Sequence, residues 1–223
     1  MSNQQWKAKW RRNDIAFHQD AVNPLLQQFW EELELPEGSV VLVPLCGKSL
    51  DMGWLATLGF RVMGIELSDI AVQDYFAALD VVPIRARHGR FAKWKHGNTE
   101  IWRGDLFDLT AQDLSEVRGL YDCAALTALP ADIRIRYVEH ITKVLPPGCQ
   151  MLLMTTESPD DTQADSALEI DEEVAALYSA GYTVELLYGK ARIKIDPEYP
   201  DEPAASFDEK VYRIRPRPVQ DAA

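Results

Sequence analysis

The chain has 223 residues, enough for one domain with a substantial core, and its 47% hydrophobic and 26% charged residues are ordinary for a globular protein. A net charge of −12 excludes non-specific nucleic-acid binding, which needs a basic surface. No apolar run reaches the ~18 residues of a membrane span, and the N-terminal MSNQQWKAKWRRND has charge but no apolar signal segment. Cys46, Cys123 and Cys149 are odd in number and lack metal-site spacing, so they read as reduced cytoplasmic thiols with no metal centre.

In chain order, residues 20–34 predict a helix with Val22, Leu25, Leu26, Phe29, Trp30 and Leu33 on one face and Asn23-Pro24 near its start. Pro36-Glu37-Gly38 turns into a buried strand over Val40–Val43. Pro44–Lys48 is the next turn, with Gly47 its one residue free to take positive φ. Leu50, Trp54, Leu55 and Leu58 recur at helical spacing, and Gly59 sits where a C-cap belongs. Phe60–Ile65 is a second buried strand, ending at Glu66. Asp69–Leu79 follows as a helix with Ser68 as N-cap. Further strands are expected at Thr99–Arg103, Leu120–Leu126, Gln150–Thr156, Thr183–Tyr188 and Lys210–Ile214. Helices are expected at Pro130–Leu145 and Glu169–Ser179. Alternating β and α units imply a parallel sheet covered on both faces, closed by an antiparallel edge hairpin. That is the α/β pattern of a class I S-adenosylmethionine-dependent methyltransferase: a mostly parallel, seven-stranded sheet in one domain, 1–223.

The turn after the first strand has neither G-x-G-x-x-G nor a Walker A loop, because Leu42 stands where the first Walker glycine belongs. A turn without a phosphate cradle suits a nucleoside without phosphates. An acidic residue about 20 positions after the glycine, here Glu66, suits a ribose diol. Ligands in such sheets bind outside the carboxyl ends of the strands. Those ends present Leu45 with Gly47, Glu66, Asp105 with Leu106, and Asp122 with Cys123. Asp105 either accepts from an adenine amine or caps the turn that follows it.

The sequence resembles the thiopurine S-methyltransferases of the short bacterial type. The anchors are Trp6-x-x-x-Trp10, Phe17-His18-Gln19, Val43-Pro44-Leu45-Cys46-Gly47-Lys48-Ser49-x-Asp51-Met52, Gly64-x-Glu66-Leu67-Ser68 and Gly104-Asp105-x-Phe107-Asp108. Ala124-Ala125-Leu126-x-Ala128-Leu129-Pro130 and Arg134 near Tyr137 follow more loosely. The resemblance implies that S-adenosyl-L-methionine is the cofactor and that Trp10, Leu45, Glu66, Asp105 and Leu106 contact it. It also implies that Phe17 lies over the acceptor with residues 1–19 as a lid on the 20–218 core, and it puts Cys123 at both cofactor and acceptor and Arg134 at the acceptor. Trp6 and Trp10, four apart, make one aromatic face that either attracts a sulfonium cation or pins the arm to the body. His18 either takes a proton from the acceptor or is structural.

Two departures fall on the acceptor side. The family carries Asp-Arg after the fourth strand of this pattern, and here the pair is Asp122-Cys123, which removes a planar cation. The family's Gly-Pro-Pro-Phe lid is replaced by the acidic stretch 156–166. Arg85, Arg87 and Arg90, interleaved with Phe91, Trp94 and His96, read as a loop that either meets an anionic acceptor or is simply solvated. The leading expectation is a cytoplasmic, monomeric S-methyltransferase acting on a small thiol, thione or chalcogen acceptor. The alternatives are alkyl transfer from a modified S-adenosylmethionine, transfer to a peptide-borne thiol, and a non-catalytic nucleoside-binding module.

Overall fold

A computed structural model describes residues 3–157, 171–194 and 205–217. The central strands are β1 (Val40–Pro44), β2 (Arg61–Glu66), β5 (Thr99–Arg103), β6 (Val117–Cys123) and β7 (Gln150–Glu157). They are flanked by a hairpin of β3 (Ile84–His88) and β4 (Phe91–His96), and by β8 (Tyr182–Lys194) with β9 (Ala205–Pro216). The order across the sheet is β3-β4-β5-β2-β1-β6-β7-β9-β8. The five central strands are parallel, and the pairs outside them are antiparallel.

The seven expected strands are all present, but the sheet has nine among the described residues. The extra two come from the segment read as a loop around Arg85, Arg87 and Arg90. Every residue of β3 is exposed, so its sequence carries no burial signal. β4 buries only Phe91 and Trp94, and the Arg85 guanidinium lies 3.8 Å from the Trp94 ring centre across the hairpin. The basic residues of this segment therefore stand at the sheet edge and not at the cleft described below. Because antiparallel pairs flank both sides, the sheet as a whole is mixed and not mostly parallel.

Among the described residues the α-helices are α1 (Asn3–Arg11), α2 (Pro24–Phe29), α3 (Asp51–Thr57), α4 (Asp69–Ala78), α5 (Ala125–Ala128), α6 (Ala131–Val144) and α7 (Glu172–Tyr178). The helix expected over 20–34 begins only at Pro24. Asn23 is its N-cap, with Oδ1 accepting from the Leu25 amide, and its end tightens into a 3-10 turn over Trp30–Leu33. Ser68 caps α4 as expected. Of the residues recurring at helical spacing in α3, Leu55 is buried as expected while Leu58 is exposed; Met52 joins Leu55 on the inner face.

Alternation along β1 divides the core. Val41 and Val43 face α2, α3 and α4 on one side of the sheet, while Leu42 faces α6 and α7 on the other. The chain moves from β1 outward through β2 to β5, then crosses back to β6 on the other side of β1. This reversal opens a crevice at the carboxyl ends of the strands. The acidic residues 158–166 lie outside the described residues.

Candidate active site

The crevice is a cleft of 460 Å³, within the ~300–1,000 Å³ typical of small-molecule sites. Its floor is built from the strand ends in sheet order: Asp105 and Leu106 after β5, Glu66 of β2, Leu45 and Gly47 after β1, and Cys123 of β6. Its roof is the N-terminal arm, with Trp6, Trp10, Phe17 and His18. Thus the residues expected to contact the cofactor, together with Phe17, His18 and Cys123, meet in one cavity, which Arg134 does not line.

Glu66 is the most constrained of them. Its side chain is 7% exposed at the end of β2. Oε2 accepts from the Gly47 amide at 2.9 Å, and Oε1 accepts from the Ser68 amide at 2.6 Å. Burial pushes its carboxyl upward, and the amides of Ser68, Gly47 and Leu67 oppose that shift. A carboxylate has about four acceptor sites, so Glu66 keeps acceptor capacity beyond these amides for a hydroxyl in the cleft. This acceptor fits a ribose diol, whose hydroxyls donate.

The turn after β1 is tighter than its sequence indicates. Gly47 adopts φ 52°, and Leu45 also lies in the left-handed region at φ 49°. A non-glycine residue held there costs ~1–3 kcal/mol and persists where its surroundings impose it. Gly47 also admits Trp10: a Cβ at 47 would stand 3.1 Å from Trp10 Cζ2. Gly47→Ala should therefore displace Trp10 and weaken S-adenosylhomocysteine binding several-fold, with ~1 kcal/mol of added left-handed strain. Calorimetry showing unchanged affinity would remove Trp10 from the site.

Asp105 caps its turn: Oδ1 accepts from the Phe107 amide at 3.0 Å. Its Oδ2 accepts from Asn3 Nδ2 of the arm at 2.8 Å. Leu106 is buried beside it. Phe17 stands edge-on to both Trp6 and Trp10, with ring centres 5.7 and 5.9 Å away. The Trp6 indole N–H is buried and has no hydrogen-bond partner among the described residues. His18 is held below its usual range by burial and then by Lys48, so its imidazole is neutral near pH 7.

Arg134 is not brought into the cleft. Its guanidinium donates to the carbonyls of Leu129 and Thr127 and pairs with Glu173. Arg136 lines the cleft instead, over the Phe107 ring. Two residues apart on a helix means opposite faces, so sequence alone could not choose between them. Asp122 also turns away: its oxygens accept from the amides of Ala125 and Leu126 and from the Tyr137 hydroxyl.

One polar cluster escaped sequence reasoning. Asp51, at the start of α3, accepts from the Asn23 amide and the Tyr121 hydroxyl, both at 2.8 Å. The Asn23 side-chain amide faces Cys123 Sγ at 3.7 Å. These contacts join elements 28 to 100 positions apart, so no local pattern announces them. Burial raises the Cys123 thiol to about 11, which keeps it protonated and unreactive at neutral pH.

Solved structures place this architecture. A SAM-dependent methyltransferase from Anabaena variabilis superposes with a TM-score of 0.66 at 15% identity, covering 96% of this chain and 95% of its own. The Burkholderia thailandensis 1,6-didemethyltoxoflavin-N1-methyltransferase, solved with S-adenosylhomocysteine, gives 0.62 at 16% identity over 95% and 86%. The fold is that of the class I S-adenosylmethionine-dependent methyltransferases. The family model for thiopurine S-methyltransferase matches residues 1–217. The thiopurine S-methyltransferase of Pseudomonas fluorescens is 41% identical over 210 residues, spanning 94% of this chain and 96% of that protein. That of Azotobacter vinelandii is 40% identical over 213 residues, spanning 95% and 98%. The chain belongs to the thiopurine S-methyltransferase family and, with it, to the S-adenosylmethionine-dependent S-methyltransferases.

Proposed function

We propose that this chain methylates the sulfur, or a heavier chalcogen, of a small soft acceptor, and that it is a poor enzyme for thiopurines. The carrying observation is the gradient of polarity along the cleft. Glu66 and Asp105 stand at the β2 and β5 ends, while the β6 end is lined by Cys123, Ala124, Ala128, Leu129 and Ile133. The nucleoside belongs at the first end and the acceptor at the second.

S-Adenosylmethionine, when bound, supplies a methyl group on a sulfonium cation. Glu66 fixes the ribose through its free lone pairs, and Asp105 with Leu106 borders the adenine. Trp6, Trp10 and Phe17 roof the cleft and exclude water, which favours a reaction that neutralises charge between a thiolate and a sulfonium. The aromatic faces complement the cation. Small thiols are already partly ionised near neutral pH, so the step needs no strong base. His18, neutral in its setting, is the roof group able to take up a remaining proton.

The acceptor preference follows from position 123. A guanidinium there would offer five donors to a polar heterocycle, whereas a protonated thiol offers one weak donor. Product detection by mass spectrometry should show S-methylation of a small aromatic thiol well above that of 6-mercaptopurine. Cys123→Arg should raise thiopurine turnover in part. A cysteine-containing peptide in the same panel tests the peptide-borne acceptor. Equal rates on 6-mercaptopurine and the best small thiol would overturn the preference. Intact cofactor binding without product on any acceptor would leave a binding module.

The working state we favour is a cytoplasmic monomer. All three cysteines are free thiols, which a reducing compartment maintains, and the described residues of one chain suffice to form the cleft.

A further inference from the structure

Helix α1 crosses the mouth of the cleft in a definite direction. Its first described residue, Asn3, donates to Asp105 after β5. Trp10, near its other end, packs on Gly47 after β1. Between these strands lies only β2, which carries Glu66. The distances agree: seven helical steps cover ~10 Å, and two strand spacings are also ~10 Å. Trp6 therefore sits midway, over the β2 end, where its buried indole N–H has no partner among the described residues.

We propose that Asn3 is a positioning residue for methyl transfer, pinning α1 across the strand ends so that Trp6 and Trp10 are seated over the bound cofactor. Both anchor points of α1 are cofactor-side groups: Asp105 at one end and the Gly47 turn, whose amide Glu66 holds, at the other. A ligand that bridges Asp105 and Glu66 also supplies an acceptor to the cleft, where the Trp6 N–H lacks one. Cofactor and arm would thus stabilise each other, so arm closure is linked to cofactor binding. The inference rests on the assignment of Glu66 and Asp105 to the nucleoside.

Three variants separate a positioning role from a merely structural one. Asn3→Ala removes the donor and should raise KM for S-adenosylmethionine about 3- to 10-fold. Asn3→Asp puts two carboxylates face to face and should raise it about 30-fold or more. An acidic residue at a helix N-terminus favours the isolated helix, so that loss cannot come from weaker helix formation. Asn3→Gln keeps the donor and should retain most activity. Asn3 is exposed, so thermal stability should stay within about 2 °C in all three. In the unaltered protein, amide exchange over 3–11 should slow on adding S-adenosylhomocysteine, and in Asn3→Asp much less. Unchanged KM in Asn3→Asp, with the unaltered protein binding S-adenosylhomocysteine in calorimetry, overturns the role of Asn3 alone. Failure of the unaltered protein to bind S-adenosylhomocysteine overturns the nucleoside assignment itself.

Discussion

Glu66→Ala should weaken S-adenosylhomocysteine binding by about 100-fold or more. Charge-assisted hydrogen bonds contribute ~1.5–3 kcal/mol each, and on the proposed assignment the acceptor capacity that Glu66 keeps beyond its amide partners meets the ribose hydroxyls. The substitution also strips the amides of Gly47 and Ser68 of their acceptor, which loosens the turn on which Trp10 rests. Glu66→Gln should be nearly as damaging, because its amide group must point a donor at one of two backbone donors. The pH dependence has a definite sign. The cofactor hydroxyls favour the ionised carboxylate, and burial holds this carboxyl above the usual range. Affinity should therefore fall as pH drops, and at a higher pH than an exposed glutamate would impose. Calorimetry of both variants, and of the unaltered protein between pH 5 and 8 (about the working range of such proteins), reads the effect directly. Equal affinities throughout would end the assignment.

Asp122→Ala should be the most destabilising substitution near the cleft without touching a ligand. Asp122 is fully buried, and three groups depend on it: the amides that start α5 and the Tyr137 hydroxyl of α6. Leaving such donors unpaired in the core costs about 3–5 kcal/mol. The carboxyl itself is raised from 3.8 to about 6, because burial outweighs the three hydrogen bonds. The native state therefore holds this proton more tightly than the unfolded chain. Its contribution is fully present below pH ~4 and is lost as pH rises through about 6, a swing of roughly 3 kcal/mol. Asp122→Asn keeps an acceptor for the amides and no longer ionises. Its stability relative to the unaltered protein should thus improve between pH 4 and 7. Denaturant titrations at those two pH values that give the same difference would refute the assignment of this proton to Asp122.

The glycine turn, the buried strands either side of it and the acid at the end of the second strand were legible because each is local. A run of β-branched residues buried on both faces marks a parallel strand wherever it occurs. A glycine in a βα turn and an acid some 20 residues on mark a nucleoside crevice by spacing alone. The cap at Ser68 follows from side-chain reach to an amide three residues away. What sequence could not supply was side-chain direction and long-range partnership. The β3–β4 hairpin is held by Trp94 and by pairing to β5, while its outer strand buries nothing. Arg134 and Arg136 are alike in sequence, and only the seating of α6 sends one to backbone carbonyls and the other to the cleft. Asp122 and Cys123 are adjacent on β6, so alternation places one in the core under α6 and the other in the cleft.

The sequence by itself determined the class of cofactor, because the glycine turn, the acid at the end of the next strand and the motifs shared with the family are all short stretches of chain read without knowing how distant segments pack. Only the tertiary structure decided which side chains line each end of the cleft and how the arm lies across it. Those depend on contacts such as Asn3 with Asp105 and Asn23 with Cys123, each made across about a hundred residues of chain.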